Sequence, residues 1–202
     1  MNWIVNVLLT VFRPALGLII LAGLLLYWVL KKKFPQEKFL KLTFYIFSSV
    51  IIFQSVFFTI LNWWIWSKKG ITQWLLPPHT SITYILKYSW YHYWFESMVI
   101  ILTSIIVFFT ISLLNKKFED NLFYDEEKYL AVLGILATGW PNCLVFLCLV
   151  FFWGVFSHLI FILFNKKDRR LILLYFWIPC ALLTLFLGVI ISKYMGVSQL
   201  AI

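Results

Sequence analysis

The sequence predicts an all-α protein, a polytopic transmembrane helix bundle of about five full helices plus a re-entrant half-helix. Three observations predict it. The chain is 63% hydrophobic and only 12% charged, about half the charge density of a soluble domain. Its Lys and Arg residues sit in short clusters between long uncharged runs, the arrangement of topological determinants at membrane boundaries. One run, 129–165, is too long for a single crossing and carries its own breaker, Gly139-Trp140-Pro141-Asn142.

The first span is expected over about 8–30, with Arg13-Pro14 as a kink or an interfacial break. No basic stretch precedes it and no small-residue cleavage site follows, so it reads as a retained helix and not a signal peptide. Uncharged runs then place spans over about 42–66 and 97–115, each long enough for a hydrocarbon core of about 30 Å. Between them, 67–95 is expected to be an interfacial aromatic outer loop. It contains Pro77-Pro78 and the rings of Trp74, Tyr84, Tyr88, Trp90, Tyr91, Tyr93 and Trp94, and amphipathic rings favour headgroup level.

An acidic inner loop, 116–128, leads into the long run. A straight helix over 129–165 would measure about 55 Å, nearly twice the core. Proline removes a backbone donor and disfavours helix in the residue before it. The expected solution is a half-helix over 129–138, a turn, and a return helix over 143–164, followed by a last span over 171–192.

The positive-inside rule favours that turn. It places Lys31, Lys32, Lys33, Lys38, Lys41, Lys116, Lys117, Lys128, Lys166, Lys167, Arg169 and Arg170 on one side, against Lys68, Lys69, Lys87 and Lys193 on the other. The N-terminus is then outside. Once these clusters are assigned, no basic face remains for nucleic acid.

Chemistry is sought first among carboxylates. Glu119, Asp120, Asp125, Glu126 and Glu127 gather just before the half-helix, with Lys128 beside them. Acids in a first helical turn complement the macrodipole, so Asp125, Glu126 and Glu127 are expected to form a solvated cap; they and Lys128 are also the weak catalytic candidates. His92 and Glu96, four apart at the outer face, are the other candidates, since that spacing shares a helix face. Two such residues do not make a metal site, and no metal or cofactor is expected. Ser157 and His158 read as a polar contact between helices. Cys143, Cys148 and Cys180 read as small buried hydrophobes. No phosphate-binding loop or dinucleotide glycine pattern occurs.

Residues 122–196 carry a resemblance. The segment DEEKYLAVLGILATGWPN, an apolar helix with Gly154, the basic turn NKKDRR, then IPCALLTLFLG and IISKY, is similar to the C-terminal half of type IV prepilin leader peptidases. In that family a G-x-G-D-x-K motif opens a helix running to L-G and then G-W. Matching its lysine to Lys128 puts Glu126 at the catalytic aspartate, whereas matching the aspartate to Asp125 displaces the lysine by one. The family's other aspartate follows a tyrosine upstream, where this chain has Tyr88-Ser89 and then Phe95-Glu96-Ser97.

The resemblance therefore implies a remodelled relative in which the catalytic aspartates are not matched. The expected function is that of a non-catalytic scaffold or assembly partner in a prokaryotic plasma membrane; the alternative is a membrane enzyme on a leader peptide or lipid, of the aspartic prepilin-peptidase type. The expected partners are the lipid bilayer and another membrane protein or a leader peptide.

Overall fold

The computed structural model describes residues 15–25, 36–68, 70, 72–118, 123–163, 173 and 176–194. The side chains of Gln36, Glu37, His158, Phe161, Ile162, Val189 and residues 191–194 are not among those described. Arg13-Pro14, Lys31 to Lys33, Glu119, Asp120 and the NKKDRR turn therefore lie outside the described residues, as do the side chains of His158 and Lys193.

The described residues are helical or form turns, with no strand among them. Helix α1 covers Ala15–Leu25 and α2 Gln36–Lys68. After a short 3-10 turn, Thr72–Leu75, come α3, Ile82–Ser89, a π-helical segment, Trp90–Trp94, and α4, Phe95–Lys117. Then follow α5, Glu127–Thr138, α6, Asn142–Leu163, and α7, Trp177–Tyr194.

The expected loop 67–95 is loop only in its first part. From Ser81 onward the chain is one continuous helix, Ile82–Lys117, because no glycine or proline occurs between Pro78 and Gly134 to stop it. The aromatic rings thus stand on a helix, not on a loop. Helix α7 covers Trp177–Tyr194, while positions 171 and 172 of the expected last span lie outside the described residues; Pro179 falls inside the first turn, where a missing N–H costs nothing.

The break in the long run falls where the Gly-Trp-Pro stretch stands. Gly139 ends α5 at φ 71°, a left-handed conformation that glycine adopts without a Cβ penalty. Its N–H donates to Ile135 O at 3.1 Å, and its carbonyl accepts from Cys143 N–H at 2.7 Å. The turn thereby satisfies much of its own backbone. The chain reverses there: a Cβ on Gly134 would run into the ring of Phe146, so positions on either side of the turn lie in direct contact.

Helix α5 is the centre of the molecule. Every residue in it except Lys128 is buried, and α2, α4, α6 and α7 all pack against it. Gly17 of α1 lies against the carbonyl of Ala137, and the ring of Tyr129 sits 5.6 Å from that of Phe108 on α4. Phe146 and Trp177, 6.0 Å apart, join α6 to α7. Twelve residues make a helix of about 18 Å, enclosed in protein along its whole length.

A second, smaller core joins the far half of α2 to the aromatic helix. Phe58, Ile65 and Trp66 pack there with Leu76, Ile85 and Tyr93. Trp66 lies 4.9 Å from Tyr88, and Phe58 stacks on Tyr93 at 5.8 Å.

Apolar side chains cover the surface as well as the core. Exposed positions include Phe53, Ile60 and Trp64 on α2, Leu102, Ile106, Phe109 and Leu113 on α4, Phe152 and Leu163 on α6 and Phe186 on α7. Ser55, Asn62, Ser97, Ser104, Asn115, Glu127 and Thr184 are buried. Two helices, Lys38–Lys68 and Ile82–Lys117, are long and apolar enough to cross a membrane. Only 17% and 22% of their most apolar windows are buried in the chain, unlike the core helix of a soluble protein. Cys143 and Cys180 are buried, but Cys148 is exposed on the apolar surface of α6.

Candidate functional site

The acidic stretch is fastened to the end of α4 by one side chain. Asn115 Nδ2 donates to the Phe123 carbonyl at 3.1 Å, and Phe123 N–H donates to Asn115 Oδ1 at 2.9 Å. The amide substitutes for a backbone partner at a point where the chain has left its helix. Sequence reasoning passed over Asn115; a polar residue in the last turn of an apolar helix was its only signal.

The three adjacent carboxylates then separate. Asp125 is exposed, Glu126 is half-buried and Glu127 is 0% exposed. The expectation of a uniform solvated cap is corrected here. Glu126 stands at the N-cap, yet its side chain makes no capping hydrogen bond. Glu127, in the first turn of a helix buried on all sides, is carried into the interior with Leu130, Ala131 and Gly134 above it. Lys128 is the one α5 residue that reaches outward, its Nζ 5.4 Å over the Tyr129 ring.

His92 and Glu96 lie at the other end of α4. His92 is exposed within the π-helical segment, with its ring 4.2 Å from that of Tyr88. Glu96 is half-buried in the first turn of α4. Asn115 marks the opposite end, so Glu96 and the acidic stretch are about 28 Å apart along the helix. No carboxyl dyad can form between them, since proton sharing needs about 3 Å. Among the described residues, no three His, Cys, Asp or Glu side chains come together. Ser157 Oγ donates to the Gly154 carbonyl of its own helix at 2.9 Å.

Beside His92 and Glu96, α2 and the long aromatic helix share a polar seam. Ser55 and Ser97 hydroxyls are 2.9 Å apart, and both lie 3.1 Å from the Tyr93 carbonyl. Each hydroxyl has one proton, so one donates to the carbonyl while the other closes the pair. Trp94 Nε1 donates to Thr59 Oγ1 at 3.1 Å, and Thr59 donates to Ser55 O at 2.8 Å. The Tyr93 carbonyl belongs to the π-helical segment, where backbone pairing is irregular, and hydroxyls from both helices support it.

The antiparallel register fixes the ends of the bundle. Lys38 and Lys41 at the start of α2 share one end with Lys116 and Lys117 at the close of α4 and with Lys128 of α5, whereas the other end has Lys68 and Lys87. No protein family, curated protein or solved structure matches the chain. The likeness of residues 122–196 to prepilin leader peptidases rests on the quoted motif residues alone.

Proposed function

We propose that the chain is an integral membrane protein of a prokaryotic plasma membrane, with α1, α2, α4, α6 and α7 as its principal crossings and α5 as a re-entrant half-helix, and that it acts as a non-catalytic scaffold or assembly partner. The observation that carries this reading is the extensive apolar surface around a buried half-helix. Lipid is the one solvent in which so many exposed aromatic and aliphatic side chains are stable. Half-helices with irregular ends are tolerated at membrane depth when protein encloses them, and α5 is enclosed. The lysine-rich end is the inner one.

The separation of the carboxylates supports the non-catalytic part. Glu96 stands a helix length from Asp125, Glu126 and Glu127, and Asp125 faces outward. One observation favours the enzyme reading: Glu127 is fully buried, and ionisable groups inside a membrane bundle mark functional sites by default. In that reading the acidic stretch at Glu126 and Glu127 would act on a leader peptide.

Two measurements decide. Single cysteines replacing Ser81 and Asp125, in a background free of native cysteine, are labelled in intact cells with an impermeant thiol reagent; only position 81 is expected to react. Equal labelling would overturn the orientation. Purified protein incubated with a prepilin-type leader substrate is expected to leave it intact, and cleavage lost in Glu126→Gln would establish the enzyme reading instead.

A further inference from the structure

The polar seam has three levels, and only the middle one is closed by a hydrogen bond between the helices. Ser48 and Asn62 lie seven residues before and after Ser55, two helical turns each way on the same face of α2. On the partner helix, Ser104 is seven residues after Ser97, and Ser89 is eight before it. The extra residue is absorbed by the π-helical segment Trp90–Trp94, which has a wider turn. In the antiparallel register set by Ser55–Ser97 and Trp66–Tyr88, that turn leaves Ser89, and not the bulky Trp90, as the residue to face the level of Asn62. Ser89 is 1% exposed while Trp90 is 48% exposed.

Asn62 is 3% exposed. Among the described residues, neither Asn62 Nδ2 nor Ser89 Oγ has a hydrogen-bond partner. Two buried polar groups at one level of a helix pair, each without a partner, are costly in an apolar environment. A direct amide–hydroxyl bond would remove the cost, and the two atoms do not make one. The core that joins this half of α2 to the aromatic helix consists of Trp66, Tyr88, Tyr93, Ile85 and other uncharged side chains, none of which would suit an ion.

We propose that Asn62 and Ser89 form a binding site for a single water molecule held between α2 and the aromatic helix, with Asn62 Nδ2 donating to the water and the water hydrogen-bonded to Ser89 Oγ. The chemistry asks for two polar partners at the least, and buried waters make two to four hydrogen bonds. The π-helical turn is then the device that builds the site, by setting a small hydroxyl opposite the amide where a regular helix would set an indole. The site is independent of which way the chain crosses the membrane and of whether it has an activity.

The test is a structure of the full-length protein in lipid at a resolution that shows ordered water, for wild type and Ser89→Ala. Wild type is expected to show a water peak within hydrogen-bond distance of both Asn62 Nδ2 and Ser89 Oγ, and Ser89→Ala, a mild change, is expected to lose it. The proposal is overturned if wild type shows a direct bond from Asn62 Nδ2 to a protein atom with no water between. It is equally overturned if the peak stays at full occupancy in Ser89→Ala.

Discussion

The two cores of this protein are built on different principles. Around α5, shape does most of the work: a short helix is enclosed by several others, the ring of Phe146 occupies the space over Gly134, and polar groups are few and placed at the ends. At the aromatic end, direction does more: hydroxyls, an indole and a carbonyl connect α2 to the π-helical segment across an otherwise apolar seam. The difference teaches that close approach and polar bonds are separate means of joining helices, and in the membrane proposed above, where burial alone gives little driving force between them, both are needed.

The comparison breaks most severely at Glu127. Glu127 fills space enclosed by protein on every side, and Glu127→Ala would leave a cavity there, lowering stability by about 2–5 kcal/mol. The exposed Asp125→Ala is expected to change it by about 0.5 kcal/mol or less. Thermal unfolding of both variants in one detergent checks the contrast, and equal effects would mean that the buried and exposed acids are not distinct.

The next effect concerns shape. Gly134→Leu places atoms where the Phe146 ring lies, with an expected loss of about 1–3 kcal/mol. Adding Phe146→Ala should recover part of it. If the double variant is no better than the single one, the two helices do not meet at that point.

Asn115→Ala tests the tie between α4 and the acidic stretch. It removes two hydrogen bonds and leaves the Phe123 N–H and carbonyl without the amide, a loss of about 1–3 kcal/mol. Faster amide exchange at Phe123, with α6 unchanged, is the expected signature. Smallest of all, Ser97→Ala should cost about 0.6 kcal/mol, the average for a hydroxyl bond between membrane helices. A coupling to Ser55→Ala in a double-mutant cycle would confirm that the two hydroxyls act as a pair.

Helix breaks were legible where a residue forces them. Gly139 and Pro141 ended α5 and opened α6 within one or two residues of the expected positions, because a left-handed glycine and a missing donor act locally. Pro179 gives no boundary by itself, since proline is as acceptable in the first turn of α7 as it is disruptive in an interior. The aromatic stretch differs from the expected loop because interfacial preference belongs to its rings and not to its backbone, and no glycine or proline from His79 to Leu133 stops a helix.

By itself, the sequence determined the all-helical class, the long apolar helices and the turn that makes α5 short, because periodicity, composition and backbone sterics are properties of neighbouring residues. Tertiary structure alone decided that Glu127 is buried while Asp125, two residues away, is not. It also decided that Asn115 holds Phe123 and that Ser55 meets Ser97 and the Tyr93 carbonyl across the helix pair. Each of these depends on which helix lies opposite, a relation between residues distant in the chain that local chemistry does not encode.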